Sequence, residues 1–380
     1  MKIFITLGIL LFTTLNTYAS KELKTHICQA CHPKIYKEYQ SSMHAKASIY
    51  KNEIFRAVWE KHPLSKTNNF KCAKCHTPSD KKLISGETKL SKNSIQLHEP
   101  ISCQYCHQIK SIEEHAKSNT NIQITQKKTI FARNIDKKGQ MLEFKPQSSL
   151  TKMVGSPYHD INYSNENYYN GNMCLGCHSH KQNDHGFKVC DFEIKKGKSD
   201  FKENCITCHM PQVSGSFVNH KDTKTHAFHG ATALIDKPFL LSKHVKLSLE
   251  KGNKNFVITV KNGSNHTLTP HPLRLSKLKV SLQREDKIIE LKDVIFIKVI
   301  GKDGKPTMPW IADEIITDKT IKAFEKRELK FNKELKSGDI VTVRFGYHIV
   351  NPQIAKKLQL KEKRLSKFIT LTRKIFKIQD

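Results

Sequence analysis

Ten of the chain's 11 cysteines stand in five copies of one pattern, Cys-x-x-Cys-His. The copies are Cys28-Gln29-Ala30-Cys31-His32, Cys72-Ala73-Lys74-Cys75-His76, Cys103-Gln104-Tyr105-Cys106-His107, Cys174-Leu175-Gly176-Cys177-His178 and Cys205-Ile206-Thr207-Cys208-His209. Two thiols three positions apart share one side of a helical turn, where both can add to the vinyl groups of one porphyrin. The histidine that follows then lies under the ring and offers its imidazole to iron. Structural zinc sites or disulfides would not require a histidine directly after the second cysteine of every pair. The pattern therefore implies five covalently attached haem c groups, bound through Cys28, Cys31, Cys72, Cys75, Cys103, Cys106, Cys174, Cys177, Cys205 and Cys208. The proximal ligands would be His32, His76, His107, His178 and His209. Cys190 is left over and reads as a buried or inert thiol.

A low-potential electron carrier needs a second imidazole on each iron. Of the 20 histidines five are proximal, which leaves 15 for the far side. His44 in Ser42-Met43-His44-Ala45, His159 in Ser156-Pro157-Tyr158-His159, and His226 in His226-Ala227-Phe228-His229-Gly230 have the most distinctive settings. His229 is an alternative to His226 at the same place. His115, His98 and His62 follow, with His185 and His220 behind them. Met43 could ligate in principle, but His44 stands beside it. Met210 follows a proximal histidine and points away from that iron.

All five motifs fall within the first 210 residues, so each haem has only a few short elements to itself. Pro33–Tyr39 and Ile54–His62 read as helices, and the segments 66–69, 120–128 and 195–200 read as loops. From about residue 240 the texture changes to short alternating runs: 245–249, 255–261, 277–283, 294–300, 326–331 and 339–347, with 287–291 and 368–371 as further strands. Turn signals at 284–287, 302–305 and 336–339 punctuate them. The expected fold class is α+β: a mostly helical, loop-rich haem domain (20–239), then an antiparallel β-sandwich-like domain with a basic tail (240–380).

The composition agrees with a core built partly of porphyrin. Only 37% of the 380 residues are AVILMFWYC, and 65 Lys+Arg against 35 Asp+Glu give a formal net charge of +30. That balance excludes a polytopic membrane protein. Lys2, the apolar run Ile3–Leu15 and the small-residue exit Thr17-Tyr18-Ala19 describe a secretory signal peptide over residues 1–19, cleaved before Ser20. The run is shorter than the roughly 20 residues needed to span a bilayer, which argues against an uncleaved anchor. The expected location is the periplasm.

With these residues in view, the chain resembles the multihaem c-type cytochromes of the cytochrome c-554 type. The resemblance covers about residues 25–235. It rests on Cys28–His32 with Pro33, Tyr36 and the stretch from Ser42 to Ala47 holding His44, on Ile101-Ser102-Cys103-Gln104-Tyr105-Cys106-His107, on Cys205 through His209-Met210-Pro211, and on His226-x-Phe228-x-Gly230. It implies haems bundled by helices with closely stacked neighbours, and electron transfer as the shared activity. The chain departs from that family in having five motifs rather than four and a β-rich extension. Relatives with such an extension often show Asn, His, Pro and Arg, which look similar to Asn262, His266, Pro270 and Arg274. Here the proline falls one place late and His271 replaces a small residue. His266 could reach a haem or merely hold a turn.

The expected function is electron carriage between periplasmic or membrane-associated redox proteins in a respiratory chain. The alternative is an oxidoreductase with one open-site haem acting on a small nitrogen or sulfur compound. Residues 355–380 hold nine Lys/Arg against Glu362 and Asp380, a net of +7. Such a surface suits an acidic partner or anionic lipid when it is more than a solvated face. An exported chain is not expected to meet nucleic acid.

Overall fold

A computed structural model of the chain describes residues 23–67, 69–126, 128–144, 154–155, 158–194, 203–219, 221–231 and 238–379. The signal-peptide segment, the loop read at 195–200 and His220 lie outside the described residues.

The haem motifs sit on very short turns: Thr25–Cys28, Ala73–His76, Cys103–His107, Cys205–His209 and a 3₁₀ turn at Asn172–Cys174. Helices this short do not persist in water alone, so tertiary contacts and caps must hold them. Ser102 Oγ accepts the Tyr105 N–H, and Asn204 accepts from Ile206 and Thr207 while the Thr207 hydroxyl accepts the Asn204 N–H. These side chains occupy backbone donors that the first turn leaves open. The longer helices are Pro33–Ser41, with proline where its missing N–H costs nothing, and Glu53–Glu60, capped by Asn52.

The expectation of a mostly helical first part needs correction. Four small sheets occur among its described residues: Ile109–Glu113 with Thr120–Gln123; Thr129–Phe131 and Val154–Gly155 flanking Asp160–Asn162; His180–Gln182 with Lys188–Asp191; and Gln212–Ser214 with Thr225–Ala227. After three of the motifs the chain leaves the turn directly into an extended segment. Pairing those segments satisfies backbone groups that a region with little apolar core cannot otherwise cover. The segment read as a loop at 120–128 is thus partly strand.

Beyond the 3₁₀ turn Pro238–His244 the strands are longer. Val245–Lys251, Phe256–Asn262 and Lys326–Phe331 form one antiparallel sheet. In the other, Leu275–Arg284 pairs with Ile340–His348, which pairs with Ile369–Lys377; Lys287–Glu290 and Val294–Phe296 also pair with Leu275–Arg284. Alternate residues of both sheets meet in one apolar core that includes Phe256, Ile258 and Val260 from the first and Leu278, Val280, Val343 and Phe345 from the second. The period-two pattern produces this directly, because inward and outward side chains alternate along each strand. A third sheet joins Lys298–Lys302 to Lys305–Pro306 and Glu314–Asp318. Its hairpin turns through Asp303 (φ 51°) and Gly304 (φ 70°), a left-handed pair suited to tight hairpins.

The strand-rich part is fastened to the haem-motif part by polar contacts. Asn183 Nδ2 donates to Pro309 O (2.9 Å) and Ala312 O (2.6 Å). Glu193 accepts from Lys298 Nζ (2.6 Å), Lys322 Nζ (2.8 Å) and Thr267 Oγ1 (2.6 Å). Glu53 accepts the backbone N–H groups of Lys361 and Glu362.

Candidate haem-binding site

A continuous cavity of about 2140 Å³ runs through the molecule, against an upper range of about 1000 Å³ for single-ligand pockets. Both cysteines and the histidine of the first four motifs line it. The fifth motif contributes Ile206 to the wall, followed by Met210.

The histidines are arranged in opposed pairs. Two imidazoles bonding one metal from opposite sides at about 2 Å, each ring centre about 1 Å behind its nitrogen, hold their centres about 6 Å apart. His32 and His159 are 6.4 Å apart with planes at 22°, and His107 and His229 are 6.3 Å apart at 19°. His209 and His266 are 6.1 Å apart at 26°, and His178 and His44 are 6.0 Å apart at 64°. Each pair joins a motif histidine to one from elsewhere in the chain.

Hydrogen bonds set which nitrogen can bind iron. Nδ1 of His32 faces Phe217 O, Nδ1 of His107 faces Phe131 O and Nδ1 of His229 faces Ala227 O, each at 2.7 Å. His266 Nδ1 faces Thr267 O at 2.9 Å. A carbonyl can only accept, so Nδ1 carries the proton and Nε2 presents its lone pair. Burial pushes His44, His76 and His229 down to about 4 and His209 to about 3, so each stays neutral, the form that ligates.

The attaching thiols also touch across motifs. Cys28 is in hydrogen-bond contact with Cys103, Cys75 with Cys177, and Cys174 with Cys205. The Cys106 thiol acts electrostatically on both Cys174 and Cys177. These contacts order the motifs as first, third, fourth, fifth, with the second branching from the fourth. The cavity, the opposed imidazole pairs and the inward-facing thiols fit haem c.

Not every histidine singled out from sequence joins a pair. His226 is buried, but Nδ1 faces Gly215 O at 2.7 Å and Nε2 faces Glu38 Oε1 at 3.1 Å, so both nitrogens are engaged. Its neighbour His229 takes the place opposite His107. His98 is exposed on the last turn of Ser94–His98. His115 is exposed, and its Nδ1 accepts the Lys117 N–H, the reverse of the ligating tautomer. His62 likewise accepts from Leu64 N and packs between Trp59 and Trp310. His185 is exposed. Cys190 lines the cavity, and burial raises its thiol to about 11. His271, which sequence reasoning treated only as a departure from a pattern, also lines the cavity; its place between Pro270 and Pro272 was the available signal.

The family described as Cytochrome c554 and c-prime matches residues 27–108, which carry the first three motifs. The fold is similar to the crystal structure of a penta-heme cytochrome c552 from Thermochromatium tepidum, with a TM-score of 0.70 and 19% identity. That match covers 94% of this chain and 99% of the other. No protein of curated function matches the chain.

Proposed function

We propose that this chain, a multihaem c-type cytochrome, carries electrons one at a time along five covalently bound haems between redox partners in the periplasm, within a respiratory chain. The observation that carries the reading is the set of four opposed imidazole pairs, 6.0–6.4 Å between ring centres, three of which line one connected cavity. Haem c supplies a reversible one-electron iron couple. The chain's residues do the rest. The thiols would hold the porphyrins, the paired imidazoles would bind their irons, and the nearness of Cys28 to Cys103, Cys75 to Cys177 and Cys174 to Cys205 would bring neighbouring haems close together.

The apolar run at residues 3–15 supports export, and the excess of Lys and Arg supports an acidic partner or an anionic lipid surface. We read the two sheets that share one core as a sandwich-like platform that covers the last haems. A pyridine haemochrome assay on the purified holoprotein should give five haems per chain. Electron paramagnetic resonance of the oxidised protein should show low-spin signals from the four paired sites. A count clearly below five, or high-spin iron at most sites, would overturn the reading.

A further inference from the structure

His76 differs from the other four motif histidines. Among the described residues no imidazole stands opposite it at the 6.0–6.4 Å spacing of the pairs. Its ring neighbour is Phe55, stacked on the flat face of the imidazole at 3.9 Å and 22°.

A turn from the strand-rich part approaches the same place. The Arg274 N–H donates to His271 O (2.9 Å), and the Asn351 N–H anchors the turn through Leu273 O (2.7 Å). His271 and Arg274 both line the cavity with Cys72, Cys75 and His76. His271 lies within electrostatic range of His76, and Cys190 within range of both Arg274 and Cys75, so the turn faces the second motif.

His271 is held in the opposite tautomer to the ligating histidines. Its Nδ1 accepts the Leu273 N–H at 3.2 Å, so in the neutral ring the proton sits on Nε2. That nitrogen is a donor into the cavity, not a ligand for iron. Arg274 adds a second donor. Among the described residues its guanidinium has no carboxylate or carbonyl partner, although burial is deep enough to pull its pKa down. Arg274 is half-buried at the cavity wall, and a guanidinium left there without a partner favours an anion. Nearby charges do not meet the demand. Lys298 is itself a cation and is bound to Glu193, while Asp191 lies 3.1 Å from Lys188 Nζ.

We propose that the space between His76 and the turn carrying His271 and Arg274 is a binding site for a small oxyanion. The planar fork of Arg274 matches two oxygens of such an ion, His271 Nε2–H supplies a third contact, and no described imidazole stands opposite His76 at the spacing of the pairs. The site rests on the haem reading above and adds a ligand class to it.

The test uses the oxidised holoprotein with nitrite, and separately sulfite, as probes, followed by optical and paramagnetic resonance titration. One of five haems should respond saturably. Arg274→Gln should weaken that binding at least tenfold and His271→Ala to a lesser degree, while Arg274→Lys should retain part of it. The four paired low-spin signals should stay unchanged. An unresponsive wild-type protein that still carries five haems overturns this site and leaves the electron-carrier reading standing. Five low-spin haems, one turning high-spin in His271→Ala, would make His271 a ligand and overturn it too. An anion response unaltered in Arg274→Gln would do the same, and would assign the guanidinium to a haem propionate.

Discussion

Glu38 Oε1 lies 3.1 Å from His226 Nε2, so both ring nitrogens of His226 are engaged, whereas among the described residues only Nδ1 of its neighbour His229 is. The same carboxylate accepts the His229 N–H through Oε2 (2.9 Å). One acid therefore fills the second nitrogen of His226 and pins the backbone of His229, whose ring stands opposite His107.

The His226 pair has a pH signature. Burial alone would lower the pKa of His226, but its bonds to Glu38 and Gly215 outweigh that and displace it upward; Lys34 opposes them weakly. A raised folded-state pKa contributes stability that is full below the unfolded value of about 6.5 and is lost as pH rises through the folded value. Chemical denaturation of the holoprotein near pH 5.5 and near pH 9 should show this loss in the wild type. His226→Gln should remove about 1.5–3 kcal/mol at the lower pH and little at the higher one. Equal losses at both would exclude a charged pair.

His266→Ala should convert one haem from low to high spin, because His266 stands 6.1 Å from His209 and donates Nδ1–H to Thr267 O. The same change at His115 or His98, both exposed, should leave every spectral component in place. Paramagnetic resonance of the three variants checks both halves. A spectral change in His115→Ala would contradict the tautomer argument.

Asp80 should matter for stability although no haem motif contains it. Its buried carboxylate caps Lys81–Ser85 through Leu83 N (3.1 Å) and accepts from Gln96 Nε2 (2.9 Å) and Asn93 Nδ2 (3.2 Å). Gln96 is fully buried, so Asp80→Ala strands its amide beside the cluster formed by Trp59, Phe70 and Leu83. The expected loss is about 1–3 kcal/mol, read from the denaturation midpoint. A loss under about 0.5 kcal/mol would mean that water replaces the carboxylate.

The sequence was most legible where one local rule decides the structure. Lys326–Phe331 forms as a strand at the limits its alternation marked, and the Lys302–Lys305 turn needs only its Asp-Gly pair. The haem motifs are legible because two thiols and an imidazole must lie together on one turn. Distal histidines are different, since no local rule selects them. His44 and His159 had recognisable surroundings, but His226 and His229 differ only through Glu38, some 190 residues away in the chain. The strand Glu314–Asp318 and the helix Pro352–Lys357 were not read: the first is a weakly patterned edge, and the second is short and depends on its Asn351 cap. The small sheets of the haem region escaped for a related reason. Their strands are two to five residues long and form because of what they pair with, not because of their own propensity.

Gly176 and Asn121 give the last prediction. A side chain at Gly176, the residue before Cys177, would drive its Cβ into Asn121 Oδ1. Asn121 cannot yield freely, because its amide donates to Tyr105 OH (3.1 Å) and lies 3.5 Å from Cys177 Sγ. Gly176→Ala should therefore cost about 1–3 kcal/mol through overpacking. It should also lower haem occupancy at the fourth motif, seen as fewer haems per chain. Asn121→Ala removes the obstacle, so in that background Gly176→Ala should cost much less. Thermal denaturation followed at the Soret band, run as a double-mutant cycle, measures the coupling. Additive losses would show that Asn121 is not what confines the turn.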